Sequence, residues 1–202
     1  MSDTTFSETR TTDLLRKGLI LEYITLFWNV AGVAVTAVAA FRAQSIAIGG
    51  FGLDSFIEIG ASLIVVKELK RTDNHTHSNS LMLIGSGFYL IALYIFLQTI
   101  YLLLNNVHPQ VSSVGIGWTA LSFLTMLALA RGKSTLGSKL KNPILITEGK
   151  VTVVDAYLAA SIMIGLLLNA IFGLWWADPV SALIIVYYGI KEGRAAFTEA
   201  QD

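Results

Sequence analysis

The sequence contains no cysteine and only three histidines. The absence of cysteine excludes disulfide bonds and thiolate metal sites, although it does not identify the compartment in which the protein works. The chain also lacks the Gly-x-x-x-x-Gly-Lys loop that cradles nucleotide phosphates, so direct ATP-driven pumping is not expected. The formal net charge is zero, but in this chain the placement of charge matters more than its sum; no nucleic-acid partner is expected.

Charged residues are also scarce, at 14% of the chain, whereas apolar and aromatic residues make up 54%. With a mean hydropathy of +0.64, the chain is too apolar for an ordinary soluble domain of this size. A transmembrane helix needs ~20 mainly apolar residues, and six runs have about that length. The predicted fold is therefore an all-α integral membrane protein with six transmembrane helices. The six runs are Gly18–Phe41, Ile46–Val66, Leu81–Leu104, Val111–Ala130, Ile144–Phe172 and Leu174–Ile190.

The placement of basic residues predicts the orientation of these helices. Six crossings put both termini on one side, and twelve of the fourteen Lys and Arg residues fall on that side. The positive-inside rule therefore predicts an N-in, C-in multi-pass protein of the cell (inner) membrane. Residues 1–17 lack the features of a secretory signal, so we divide the chain into a cytoplasmic tail at 1–17, a transmembrane domain at 18–192 and a cytoplasmic tail at 193–202. The twelve residues are Arg10, Arg16, Lys17, Lys67, Lys70, Arg71, Arg131, Lys133, Lys139, Lys141, Lys191 and Arg194.

Several acidic side chains lie within the apolar runs, where an ionisable group is costly unless it faces a polar interior. Asp54 and Glu58 are four residues apart and share one face of the second helix. Asp155 follows Glu148 by seven residues, or two turns, and again shares its face. If helices one, two and five pack together, Asn29, Asp54, Glu58 and Asp155 form a cluster near mid-membrane. Asn29 belongs to a polar and small stripe on the first helix, formed by Glu22, Thr25, Asn29, Gly32 and Thr36.

An all-oxygen cluster of this kind predicts a bound divalent cation. The Irving–Williams order favours Zn²⁺, although these ligands alone do not select the metal. Carboxylates held close together also let protons compete with the metal, which favours proton antiport. The alternative is that the carboxylates bond to neighbouring helices or to Lys150, while Glu22 and Glu148 reach water near the ends of their helices. Asp178, which precedes Pro179, is predicted to be an exposed helix cap.

Two stretches, Ser45–Ser62 and Ala177–Ala182, resemble the cation diffusion facilitator family. The resemblance covers all six runs and implies a tetrahedral metal site, built from one pair of ligands four residues apart on helix two and a second such pair on helix five. Asp54 and Glu58 match the first pair, and Asp155 matches the second member of the other pair.

The first member of the helix-five pair falls on Val151, which cannot bind a metal. The resemblance then leaves Glu148, Asn29 or water as the fourth ligand. It also implies a short form without the cytosolic domain that family members usually carry after helix six, and therefore a homodimer formed through the membrane helices.

These observations predict a secondary transporter that exports a divalent metal cation by proton antiport, with Zn²⁺ as the first expectation and Mn²⁺, Fe²⁺, Co²⁺ or Cd²⁺ as alternatives. The metal is its substrate, and no prosthetic group is expected. A second hypothesis is a non-transporting membrane scaffold with a structural ion or proton site. A channel is disfavoured because chelating carboxylates would hold the ion too long.

An enzyme is not expected, because no apolar run contains a histidine to activate a hydroxyl nucleophile. The loop that contains Asp73, His75 and His77 could bind a second ion, as in some members of the family it resembles. A solvated polar loop explains these three residues equally well.

Overall fold

The computed structural model describes residues 2–70 and 78–200, and in this part of the chain every regular element is an α-helix. The predicted second ion site at Asp73, His75 and His77 lies outside the described residues, so it stays a prediction. The six helices are α1 (Ser2–Ala43), α2 (Ile46–Lys70), α3 (Ser78–Leu104), α4 (Ser113–Leu140), α5 (Pro143–Phe172) and α6 (Ala177–Glu199). The all-α prediction is confirmed.

Five of these helices are long and apolar enough to cross a membrane, namely α1 to α5. In α6 the apolar stretch between Asp178 and Lys191 would cover only about 18 Å at the rise of an α-helix, whereas the hydrocarbon core is ~30 Å thick. The sixth crossing and the N-in, C-in orientation therefore remain predictions.

Several helices extend beyond the predicted apolar runs. The predicted polar loop Arg131–Pro143 is wrong, because α4 continues to Leu140 and only a two-residue turn separates it from α5. Lys141 adopts the left-handed conformation (φ 51°) and the Asn142 side chain accepts a hydrogen bond from Leu145 N. The polar residues after Ala130 include no proline before this turn, so nothing stops the helix earlier. Helices α1 and α6 likewise continue through the tails predicted at 2–17 and 193–199.

Helix α2 is the centre of the bundle, because it packs against α1, α3, α5 and α6. The most extensive contacts elsewhere pair α4 with α5 and α3 with α6, and α1 also packs on α4. Helix α3 lies at the periphery and exposes apolar side chains such as Leu90, Leu97 and Leu104, which agrees with its nearly unbroken apolar sequence. We call the end of the bundle that carries Lys17, Lys70 and Lys141 the basic end.

At the opposite end, the chain folds back around Gly173, whose left-handed conformation (φ 67°) ends α5 and suits glycine. The Asn169 amide donates a hydrogen bond to Pro109 O at 2.9 Å, and the His108 ring stacks on Trp175 with 4.5 Å between ring centroids. His108 had no evident partner in the sequence. These contacts fix the α3–α4 connection against the turn between α5 and α6.

Asp178 is buried rather than exposed, so the predicted exposed cap is wrong. Its Oδ2 accepts a hydrogen bond from Ala47 N at 3.3 Å, and its Oδ1 accepts one from the Ser45 hydroxyl. Ser45 Oγ itself accepts from Ile48 N at 3.1 Å. Asp178 therefore caps the start of α2, because the Gly173 turn brings the first residues of α6 beside those of α2.

Candidate ion site

The polar stripe of α1 faces α2 in the interior of the bundle. All five of its members are buried. A side-chain carbon placed on Gly32 would lie 3.5 Å from Ser55 Oγ, and Gly52 approaches Thr36 still more closely. These two contacts fix an antiparallel register that places Asn29 near the level of Glu58. The stripe therefore lies inside the bundle along its whole length, including Glu22, which was expected to reach water.

Three predicted site residues lie together between α2 and α5. The relative exposure of Asp54 is 7%, that of Glu58 is 2% and that of Asp155 is 4%. The carboxyl groups of Glu58 and Asp155 are close enough to interact directly, and the charge of Asp54 acts on both. One oxygen of Glu58 (Oε2) and one of Asp155 (Oδ2) are buried without a hydrogen-bond partner. Helices α2 and α5 therefore place Glu58 and Asp155 beside each other, with Asp54 one turn away from Glu58 on α2.

These three carboxylates have no basic partner of their own. Among the described residues, none of them forms an ion pair with a lysine or arginine. Two carboxyl groups in contact are tolerable in an apolar interior only with a proton or a cation between them. The amide nitrogen of Asn29 is also buried without a partner. Glu58 on α2 and Asp155 on α5 therefore each keep an unpaired oxygen suited to a cation, whereas the Asn29 nitrogen is a hydrogen-bond donor and not a metal ligand.

Glu148 occupies a different environment from the one expected of a metal ligand. Its Oε1 accepts a hydrogen bond from Lys133 Nζ at 3.1 Å, and the same ammonium donates to Glu22 Oε2 at 3.2 Å. All three side chains are buried, so the prediction that Glu22 and Glu148 reach water is wrong, and so is the pairing of the carboxylates with the exposed Lys150. The ion pairs form because α4 extends past Ala130 and carries Lys133 between α1 and α5.

In the arrangement that the structure shows, the described residues contain no group of three or more histidine or acidic side chains positioned to hold a metal ion. Glu58 and Asp155 approach each other as a pair, whereas Glu148 is held by Lys133. The proposed ligand set of Asn29, Asp54, Glu58, Asp155 and Glu148 therefore stays a prediction, and ion binding would require these side chains to move closer.

Lys133 is the buried charged residue that the sequence analysis did not predict. We assigned it to a cytoplasmic loop, and its full burial (0% exposed) removes it from the set of loop charges. The sequence contained a signal, because Gly115, Thr119, Ser122 and Met126 begin a helical stripe on α4 that Lys133 continues with three-to-four-residue spacing. A lysine on such a stripe faces the interior.

The chain was compared with known protein families, and no family model matches it. The relationship to the cation diffusion facilitators therefore remains a resemblance carried by the motifs around Asp54 and Asp178.

Proposed function

We propose that this protein is a secondary transporter that exports a divalent metal cation in exchange for protons. The observation that carries the proposal is the buried contact between the carboxyl groups of Glu58 and Asp155, which have no basic partner among the described residues. A buried carboxyl pair must hold either protons or a cation, and exchange of one for the other is the chemistry of an antiporter.

The surrounding residues favour a divalent ion. Asp54 adds a third buried carboxylate, and Asn29 and Ser55 supply neutral polar atoms on α1 and α2. Oxygen-rich sites of this kind suit hard or borderline divalent cations, and Zn²⁺ is the first candidate because its intrinsic affinity for protein ligands is high. The cation is the substrate, so it must bind to the site and then leave it. In the observed arrangement the carboxylates do not enclose an ion, which is compatible with alternate binding and release.

The test is transport by the purified protein in liposomes with an imposed pH gradient. Uptake of Zn²⁺ and Mn²⁺ is followed in parallel with proton movement. We expect saturable metal flux coupled to opposite proton flux, and a loss of at least 100-fold with Asp155→Asn, which keeps the side-chain volume and removes the charge. The matched control is Asp13→Asn, because Asp13 is an exposed residue of α1 whose ion pair among the described residues is with Lys17, four residues on.

Flux that is unchanged in Asp155→Asn would overturn the assigned site. Absence of flux for every divalent ion in a folded protein would favour the second hypothesis, a membrane scaffold whose carboxylates hold a structural ion or proton. The predicted homodimer is measured on the same preparation, from the mass of the detergent-solubilised protein.

A further inference from the structure

Lys133 is a charged residue that lies fully inside the helix bundle. Its side chain is fully buried, and its ammonium donates to Glu22 on α1 and to Glu148 on α5. One lysine on α4 therefore links α1 and α5, and within residues 2–70 and 78–200 no other ion pair joins these three helices. We call Lys133, Glu22 and Glu148 the lysine triad.

The lysine triad forms a layer between the candidate ion site and the basic end. Glu148 precedes Asp155 by seven residues on α5, and Glu22 precedes Asn29 by seven residues on α1, which is about 10 Å along each helix. Glu58 lies within electrostatic range of both Lys133 and Glu148. An ion that moves between the Glu58–Asp155 pair and the basic end must therefore pass the lysine triad.

The helices around this layer are closely packed. A side-chain carbon on Gly132 would lie 2.9 Å from Leu21 Cδ1 on α1, and one on Gly149 would lie 3.0 Å from Ser134 N on α4. The small residues bring α1, α4 and α5 close enough for one ammonium to reach both carboxylates. In this arrangement the layer leaves little room for a hydrated ion.

A buried ion pair contributes little to the stability of a fold, because removing the charges from water offsets most of their attraction. A buried ion pair can, however, separate when the helices move apart, since water then solvates each charge. The triad has this character, because one lysine serves two carboxylates and Glu22 Oε1 has no hydrogen-bond partner. The ammonium also repels a cation that approaches while the layer is closed.

We propose that Lys133, Glu22 and Glu148 form an electrostatic latch that closes the basic end of the ion pathway and separates when that end opens. The proposal rests on the transport function proposed above, because it assigns a gate to the same pathway. It differs from a purely structural role in predicting that loss of the ammonium exposes residues deeper in the bundle.

Because the sequence contains no cysteine, a single introduced cysteine can report how accessible its position is to a thiol reagent. Thr152 lies one turn beyond Glu148, is fully buried, and its hydroxyl bonds only to the Glu148 carbonyl at 2.8 Å among the contacts described. Thr152→Cys is labelled with a charged, membrane-impermeant thiol reagent in sealed vesicles. The exposed Ser138→Cys at the basic end measures the fraction of protein with that end facing the reagent and serves as the matched control.

We expect Lys133→Met to accelerate labelling of Thr152→Cys at least tenfold, with no change at Ser138→Cys, whereas Lys133→Arg should remain slow because it keeps the charge. Glu22→Gln removes one of the two ion pairs and should give an intermediate rate of labelling at Thr152→Cys. If Lys133→Met does not fold, the labelling rate in Glu22→Gln tests the proposal instead. Equal labelling rates in Thr152→Cys alone and in its combinations with Lys133→Met and Glu22→Gln would overturn the latch.

Metal flux in the same vesicles is a separate readout. Its absence in Thr152→Cys alone and in the unsubstituted protein overturns the proposed transport, while the labelling rates still decide whether the triad closes this end.

Discussion

At the scale of single residues, the contact between Glu58 and Asp155 is expected to lower the free energy of unfolding, and this effect can be measured without a transport assay. Both carboxyl groups are buried and each has one oxygen without a partner. Holding them together without a cation costs free energy, because unsatisfied buried polar atoms are each unfavourable by about 1–3 kcal/mol. Buried polar groups kept at such a cost are typical of positions that serve function rather than stability.

Glu58→Gln should therefore raise the free energy of unfolding in a chelating buffer by about 1–3 kcal/mol, because an amide can donate a hydrogen bond to Asp155. The same change should abolish the stabilisation by Zn²⁺, which for a single site is about 2.7 kcal/mol at a hundredfold excess over the dissociation constant. Thermal unfolding in detergent, with chelator and with Zn²⁺, measures both effects. Asp13→Asn is the control, and a Zn²⁺ shift that persists in Glu58→Gln would contradict this prediction.

Burial of the acidic residues could be predicted from the sequence, but their partners could not. Asp54, Glu58 and Asp155 are buried as expected from their helical spacing, because a charge inside an apolar run must face the interior. Glu22 and Glu148 were expected to reach water because they lie near the ends of their apolar runs, and the sequence gives no sign that Lys133 pairs with them. A buried partner on a distant part of the chain depends on where a helix ends, and polar residues without a breaker do not reveal that end.

At the scale of the helices, close approach of α5 and α6 depends on Gly165. A side-chain carbon there would collide with Ser181 Oγ and would lie 3.0 Å from the Ala177 carbonyl oxygen. Gly165→Ala should lower the free energy of unfolding by about 1–3 kcal/mol, since the rigid backbone of α6 must shift. Thermal unfolding measures the loss.

Gly117 provides the matched control, because a side-chain carbon there meets no atom within 4 Å. Gly117→Ala should leave stability unchanged or raise it by up to about 1 kcal/mol through the higher helix propensity of alanine. Equal effects of the two substitutions would show that Gly165 is not a packing requirement.

The start of α2 makes a second prediction at this scale. Asp178→Ala removes both acceptors that Asp178 offers to Ser45 and to Ala47 N, leaving a buried backbone N–H without its partner. We expect a loss of about 1–3 kcal/mol in the free energy of unfolding. Asp13→Ala, at an exposed ion pair, should have no measurable effect. An unchanged unfolding midpoint in Asp178→Ala would mean that water replaces the cap.

The helix that Asp178 caps could not be predicted from local sequence. An aspartate before proline indicates a helix start, and α6 does begin at Ala177. However, Trp176 precedes the helix without a capping side-chain bond, and the carboxylate turns toward α2 instead. Capping across helices depends on tertiary packing, which single-helix patterns do not contain.

At the scale of the whole molecule, α6 decides how many times the chain crosses the membrane. It packs mainly against α3 and also contacts α5 and α2. Its apolar stretch is short, but Lys191 lies over the Tyr188 ring, with 5.5 Å from Nζ to the ring centroid. A lysine at the end of an apolar stretch can place its charge at the membrane surface while its stem covers apolar surface. We therefore expect α6 to cross with its neighbours.

Single cysteines test this expectation, because the chain has none of its own. Gln110→Cys lies between α3 and α4, Ser138→Cys near the end of α4, and Thr198→Cys near the end of α6, all at exposed positions. With six crossings, an impermeant thiol reagent labels Ser138→Cys and Thr198→Cys from the same side, and Gln110→Cys from the other. Labelling of Thr198→Cys together with Gln110→Cys would mean five crossings and would contradict the parallel packing of α6 beside α2. The basic end would face the cytoplasm in the first case because most lysine and arginine residues gather there, and export through the Lys133 latch would then begin at that end.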